Sequence, residues 1–376
     1  MDLTGLRCVI AGGGIGGLAA ALALAQVGAN VTVCERASDI TEVGAGIQIS
    51  PNGFRALAAL GLGDVCRAQS LSADAVSLRE DTRGAEVMRL DLTRLPSDQV
   101  YRFIHRRDCI DMLAQAAKEA GVTVLTAAEV VRMDVTRPYT VGLVDGRRLP
   151  ADLIIGADGL HSFVRPQVTG TATPFFTGQV AWRAMVPNTI GHPAEARVHM
   201  GPGRHLVSYP LRGGALVNIV GVQERSDWAA EGWSHRDAPQ ALQGAFADFD
   251  ASVHHLLSQV QDVGLWGLFR HPVADTWVQG GIALLGDAAH PTLPFLAQGA
   301  NMALEDAWVL RRCLLERPDL DSALARYQAL RRPRTRRIVK AASGNARKYH
   351  LPHGATRRVA HLALGLGGRI APGMML

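Results

Sequence analysis

The chain has little of what marks several common protein classes. Its five cysteines, Cys8, Cys34, Cys66, Cys109 and Cys313, are scattered, odd in number and without a CxxC pair. They are expected as reduced thiols of a cytoplasmic protein, not as a disulfide framework or thiolate metal site. There is no HExxH, and the adjacent His254 and His255 do not put two imidazoles on one helical face, so no metal centre is expected. No GxSxG follows a strand, which removes the nucleophile elbow of a serine hydrolase. The apolar segment Leu18 to Val27 is short, glycine-flanked and not preceded by a basic region, so neither a membrane span nor an export signal is expected. Internal repeats and low-complexity tracts are absent. The formal charge of +5 comes without an aromatic-and-basic recognition module, which favours anionic small ligands over nucleic acid. The run RRPRTRRIVK near the C-terminus reads as a solvated helix face.

What is present describes a soluble enzyme: 376 residues, 48% hydrophobic and 19% charged, enough for one large or two ordinary domains. The stretch RCVIAGGGIGGLAAALALAQVGANVTVCER, Arg7 to Arg36, reads as strand, glycine turn, helix, strand. Gly12 permits the tight turn, Gly14 the approach of backbone to a pyrophosphate, and Gly17 close packing of helix on strand. The helix start at Ile15 aims free N–H groups and a positive dipole end at the phosphates. Glu35, followed by Arg36, ends the second strand where an adenosine ribose is met, and an acid there favours an unphosphorylated ribose. The stretch alone leaves NAD and FAD open.

Further along, Gly44 and Gly46 imply a turn or backbone close to a ligand, and Pro51-Asn52 starts a short helix that Gly61 closes. Residues 72–100 alternate as strands, HRRDCIDMLAQAAKEAG is helical, and Val122–Leu125, Val130–Val135 and Val141–Val144 form a meander with a turn at Asp145-Gly146. An apolar strand then runs into Asp158-Gly159, strands dominate residues 175–222, and residues 237–260 look helical before a last strand, Trp266 to Phe269. A second buried strand leads through Asp287 to a long helix starting near Gly299 and stopped by Pro318. The N–H groups of Gly299, Ala300 and Asn301 open that helix and so favour negative charge. His205 and Tyr209, four apart on a strand, point to one face, where a histidine that titrates near neutral pH can serve as a base.

Three ordered motifs carry a resemblance: GGGIGG with Glu35-Arg36, GADGLHSFVR at 156–165, and GDAAHPTLPFLAQGANMALEDA at 286–307. In order and spacing they resemble the signatures of single-component FAD-dependent aromatic hydroxylases, in the salicylate hydroxylase-like and hydroxybenzoate hydroxylase-like branch, to about residue 340. The resemblance implies an α/β fold: a Rossmann-type FAD-binding domain with an inserted mixed β-sheet substrate domain and a C-terminal helical segment. The expected division is 1–72, 101–168 and 272–340 for FAD, 73–100 and 169–271 for substrate, and 341–376 for a helical tail. It implies tightly bound FAD and transient NADH or NADPH, which has no second Rossmann turn of its own. It also implies O2, and a flavin hydroperoxide that transfers oxygen to a small aromatic substrate.

Residue roles follow from the same resemblance. Asp287 meets the ribityl chain, Gly299 to Asn301 the pyrimidine edge, Asp158 and Arg165 the pyrophosphate and NAD(P)H, and Arg106 the phosphate and ribose region. The H-x-x-x-Y pair His205 and Tyr209 lines the pocket, walled by Gln48, Trp182, Met200, Pro294 and Phe295. Gln48 and Phe295 replace histidines of certain nitrogen-heterocycle hydroxylases, which favours a phenolic acid over a hydroxypyridine carboxylate. A flavin-dependent dehydrogenase without oxygen insertion, and a non-catalytic flavin sensor, share the FAD motifs. The protein is expected to act as a monomer or homodimer, without nucleic acid or membrane.

Overall fold

The computed structural model describes residues 1–39, 45–171, 173–225 and 235–370; Gly44 lies outside the described residues. The apolar runs Arg7–Ala11, Asn30–Cys34 and Leu153–Gly156 pair in parallel, with Ile10 opposite Val33 on one side and Ile155 on the other. They form the centre of a six-stranded sheet in the order Val278–Gln279, Ile282–Leu284, Leu153–Gly156, Arg7–Ala11, Asn30–Cys34, Thr123–Leu125. Continuous rather than alternating hydrophobicity is what a sheet buried on both faces requires. Helix Ile15–Ala25 is apolar almost all round because it is buried almost all round, between helices Arg106–Glu119 and Gly299–Glu316. At Gly12 (φ +102°) an added Cβ would lie 2.4 Å from the Ala157 carbonyl oxygen, and one at Gly17 2.0 Å from the Gly12 carbonyl oxygen. The glycine spacing is therefore set by how closely strand, turn and helix meet.

Thr123–Leu125 corrects the expected meander: it is the edge of this parallel sheet, beside Asn30–Cys34. The antiparallel triplet is instead Val130–Met133, Tyr139–Leu143 and Arg148–Ala151, with the Asp145-Gly146 turn inside it. A strand this short has no periodicity that says which sheet it joins.

The second large sheet has eight strands: Arg236–Asp237, Val263–Arg270, Phe175–Pro187, Leu216–Glu224, Arg204–Leu211, Glu195–Gly201, Ala75–Glu80 and Glu86–Asp91. It is mixed, since Glu195–Gly201 runs parallel to Ala75–Glu80 while the other pairs are antiparallel. One face is closed by helices Pro239–Ala245 and Ala251–Ser258 through Leu242, Phe246, Val253 and Leu257. The region 237–260 is thus two helices with a break, not one. The other face packs on Tyr101 and Phe103 and on Leu293 and Phe295. Gly46–Ile49, Arg102–His105 and Leu71–Ser72 form a separate small antiparallel sheet.

The C-terminal part is helical, with Gly299–Glu316 ending before Pro318, then Leu320–Tyr349 and Ala355–Ile370. The last helix packs on the strand Glu86–Asp91, and its buried Arg357 donates to buried Asp81 at 2.8 Å. The basic run is not a wholly solvated face: Arg331 is 3% exposed and ion-paired to Asp306 and Glu305. No described helix is long and apolar enough to cross a membrane.

Candidate active site

Strand Arg7–Ala11 delivers the glycine turn to the C-terminal edge of the parallel sheet, where α/β folds bind ligands. Glu35 accepts hydrogen bonds from the N–H groups of Gly13 (2.7 Å) and Ala37 (2.9 Å), which fixes its carboxylate beside the turn. Arg36 is exposed next to it. A Cβ on Gly14 would meet nothing within 4 Å, so the turn borders open space. Gly14 also caps helix Ile15–Ala25 without any side-chain hydrogen bond, leaving first-turn donors to an anion.

Asp158 follows the adjacent strand. Its Oδ2 accepts from the N–H groups of Phe163 (2.8 Å) and Val164 (3.1 Å), while its buried Oδ1 has no hydrogen-bond partner among the described residues. Burial pushes this carboxyl above its ordinary value. A buried oxygen left without a donor is costly unless a ligand supplies one. Arg165 is 8% exposed and donates to the carbonyls of Ala288 and Pro272, so it braces the second and third motifs together.

Asp287 is accessible to solvent yet hemmed in by protein, as on a cleft floor. Burial there raises its carboxyl, and His290 and Arg106 oppose the rise. Arg106 opens helix Arg106–Glu119, right after strand Arg102–His105. Across the cleft, helix Gly299–Glu316 starts without a side-chain cap and without an acid in its first turn, so Gly299 and Ala300 present donors there. Asn301 is buried, and its side chain does more than its backbone suggested. Its Nδ2 donates to the carbonyls of Gln48 (2.9 Å) and Ala297 (2.7 Å), and its Oδ1 accepts from Ser50 N–H (3.1 Å). An orphaned carboxylate oxygen, an open glycine turn and two uncapped helix starts are the donor and acceptor set that a dinucleotide with a ribityl chain and an anionic flavin needs; the residues fit FAD.

Behind the third motif lies a buried ionic knot. His290 Nε2 and Arg331 Nε contact the two oxygens of fully buried Asp306 at 2.5 and 2.6 Å, and Gly286 N–H donates to it as well. Burial alone would raise the Asp306 carboxyl, but His290 and Arg331 outweigh it and hold it at about 2, below the ordinary 3.8. A depressed folded value contributes stability above the ordinary value, which is lost as the pH falls from 3.8 towards 2. Asp306→Asn is expected to cost about 3 kcal/mol at neutral pH, the low end for a broken buried pair, because Glu305 is then the one carboxylate left to Arg331 among the described residues. Urea unfolding measures this, and the gap to native protein should narrow as the pH drops through that window.

The expected substrate residues lie on the face of the eight-stranded sheet that the helices Pro239–Ala245 and Ala251–Ser258 leave uncovered. Cross-strand pairing puts His205 opposite Val222, Val222 opposite Ala181, and Ala181 opposite Trp266. One row on, Val207 faces Val220 and Val220 faces Arg183; Tyr209 faces Asn218. His205, Arg183 and Tyr209 therefore share one face. The His205 ring lies 5.4 Å from that of Phe295, which packs with Leu293, Ala181, Val222 and Trp266. Pro294 is exposed beside it. Tyr209 stacks near Phe103 at 5.1 Å, and a Cβ on Gly46 would fall 2.5 Å from its ring, so this glycine makes room for the tyrosine. Burial raises the Tyr209 phenol, and Tyr101 donates to Gln48 at 2.7 Å.

Trp182 is a correction. It points to the opposite face, against Phe246 (6.2 Å) under the helices, and donates to Asp237. Met200 shares the pocket-side face, paired with His205, but packs with Leu78, Val198 and Tyr349 beyond the pocket. Arg183, which the sequence did not single out, stands on the pocket side where Trp182 was expected. Its guanidinium lies 5.0 Å over the Trp266 ring, and burial lowers it to about 10, still charged at neutral pH. The one signal was its odd register with respect to Trp182, and that becomes legible only once the strand pairing is known.

The parallel sheet with its glycine turn, beside a second mixed sheet, defines the class: an FAD-binding flavoprotein. The FAD binding domain family model matches residues 6–342. The 3-amino-4-hydroxybenzoate 2-monooxygenase of Streptomyces cremeus is 37% identical, covering 97% of this chain and 96% of its own length. The 3-hydroxybenzoate 6-hydroxylase of Klebsiella oxytoca is 36% identical over 95% and 92%. Among solved structures, Klebsiella pneumoniae HpxO complexed with FAD and uric acid superposes with a TM-score of 0.86 at 27% identity, covering 98% of this chain and 95% of that one. The chain belongs to the FAD-dependent aromatic hydroxylase family.

Proposed function

We propose that this protein hydroxylates a hydroxybenzoate-type phenolic acid, using FAD, NADH or NADPH, and O2. The observation that carries this reading is the shared sheet face on which Arg183, His205 and Tyr209 stand, with Phe295 against His205 four residues before Gly299. Relatives that act on 3-amino-4-hydroxybenzoate and 3-hydroxybenzoate support the same substrate class.

Bound FAD supplies electron uptake from NAD(P)H and the activation of dioxygen. Residues 1–72, 101–168 and 272–340 hold it: Glu35 at the adenosine ribose, Gly12 to Ile15, Arg106 and Asp158 at the pyrophosphate, Asp287 at the ribityl chain, and Gly299 to Asn301 at the flavin's negative edge. Residues 73–100 and 169–271 hold the substrate. Arg183 clamps its carboxylate, His205 takes the phenol proton, and Tyr209 orients the hydroxyl. Phe295, Leu293, Val222 and Trp266 keep water from the reacting centre. In the C-terminal segment, helix Ala355–Ile370 covers the edge strand Glu86–Asp91 of the substrate sheet. One chain furnishes every group invoked, so a monomer or a homodimer serves the reaction; residence in the cytoplasm, without nucleic acid or membrane, belongs to the same proposal.

A panel of hydroxybenzoates, aminohydroxybenzoates and hydroxypyridine carboxylates tests this reading. Substrate-stimulated NAD(P)H oxidation, with one atom of labelled dioxygen in the product, is expected for a benzoate. Turnover without label sinks the hydroxylase in favour of a dehydrogenase, and preference for a pyridine carboxylate moves the substrate class. Arg183→Met is expected to raise KM for the carboxylated substrate about 10–100-fold, the loss of one charge-assisted contact. Steady-state kinetics should show a much smaller change with the matching phenol that lacks a carboxylate.

A further inference from the structure

Beyond the residues that face the pocket, the C-terminal segment contributes a group at the end of helix Leu320–Tyr349. His350 reaches into the substrate sheet, where its Nε2 lies 2.7 Å from His205 Nδ1 and its Nδ1 lies 2.8 Å from Glu224 Oε1. His205 is 1% and His350 7% exposed, whereas the Glu224 side chain is 52% exposed. The three groups thus run in hydrogen-bond contact from the buried pocket face to solvent. Gly203 N–H donates to the His350 carbonyl at 3.2 Å, and the Tyr349 ring lies 5.2 Å from that of His205, so the segment is held at both residues.

Resting on the assignment of His205 as base, we infer that His350 and Glu224 form a proton relay that carries the substrate's phenolic proton from His205 to bulk water. With Nδ1 of each ring protonated, every contact has one donor and one acceptor. On substrate binding the phenol O–H breaks, its electron pair stays on the oxygen, and its proton joins the free Nε2 of His205. The Nδ1 proton of His205 passes to His350 Nε2, the Nδ1 proton of His350 passes to the Glu224 carboxylate, and Glu224 gives it to water. The reverse transfer reprotonates a product oxygen and restores both rings. The ring carbon becomes electron-rich without a cation stranded in the pocket, which an isolated buried histidine would impose. Burial holds both imidazoles below their ordinary values, with His350 adding to the effect at His205 and Glu224 opposing it at His350. Both rings are therefore neutral carriers at neutral pH, and the neighbouring Tyr349 and Tyr209, pushed up by burial, stay protonated.

His350 is on this account a positioning and relay residue that touches no substrate. The test follows phenolate formation by the absorbance of a bound hydroxybenzoate in stopped flow, on FAD-loaded protein without NAD(P)H. His350→Gln, which keeps hydrogen bonding but cannot pass a proton, is expected to slow phenolate formation about 10–100-fold, with flavin content and thermal stability near native. His350→Ala is expected to be slow and to regain rate on addition of imidazole. Slowing in His205→Gln with native rates in His350→Gln overturns the relay and leaves the base assignment standing. Native rates in both overturn the base assignment and the relay with it. Slow formation in His350→Gln with no imidazole rescue of His350→Ala assigns His350 a structural role only, against the proposal.

Discussion

Protein carrying Asp287→Ala is expected to purify with little or no yellow colour and to bind added FAD about 10–100-fold more weakly. That magnitude is the loss of a hydrogen bond made by a charged group. Asp287 sits at the end of the apolar strand Ile282–Leu284, one residue past Gly286, on a cleft floor near Arg106. Burial raises its carboxyl while His290 and Arg106 act to lower it, and the residue stays accessible to a ligand. Removing the side chain takes away what the ribityl hydroxyls would bond to. Fluorescence titration of apoprotein with FAD measures the loss. Native affinity in the variant would show that Asp287 is not a cofactor contact. Glu35→Ala should weaken FAD as well, though Glu35 also ties Gly13 and Ala37, so part of its effect would be on the turn itself.

His205→Gln should give the second large effect, and of the opposite kind: full flavin content with hydroxylation reduced about 10²–10⁴-fold, the range of general acid–base catalysis. Electrons drawn from NAD(P)H would then leave mostly as hydrogen peroxide, so the ratio of product formed to NAD(P)H consumed falls with the rate. The separation from Asp287 is spatial. His205 lies on the substrate sheet, ringed by Phe295, Tyr349 and His350 at 5.0–5.4 Å, and none of the predicted FAD contacts depends on it. Unchanged coupling in the variant would sink the assignment of His205 as base.

The parallel sheet, the glycine turn and Glu35 were legible because local rules fix them: continuous apolar runs, a glycine wherever a Cβ would strike backbone, and an acid at a strand end. The His205 and Tyr209 face was legible for the same reason, since a period of two needs no partner strand. Arg183 and Trp182 mark the limit. They are neighbours, both fit a pocket chemically, and only the pairing of Phe175–Pro187 with Leu216–Glu224 decides which one faces it. His350 lay further out of reach, since its contact with His205 spans 145 residues and no motif announces it. Likewise Arg331 looked like part of a solvated basic run until Asp306 was seen beneath it.

Helices Ile15–Ala25 and Gly299–Glu316 meet near their first turns, where a Cβ on Gly16 would lie 3.2 Å from that of Ala303. Both starts are uncapped, so two partial positive ends crowd one cleft and oppose each other. An anionic cofactor bound there would be the counter-ion of the scaffold, cancelling a repulsion built into the polypeptide.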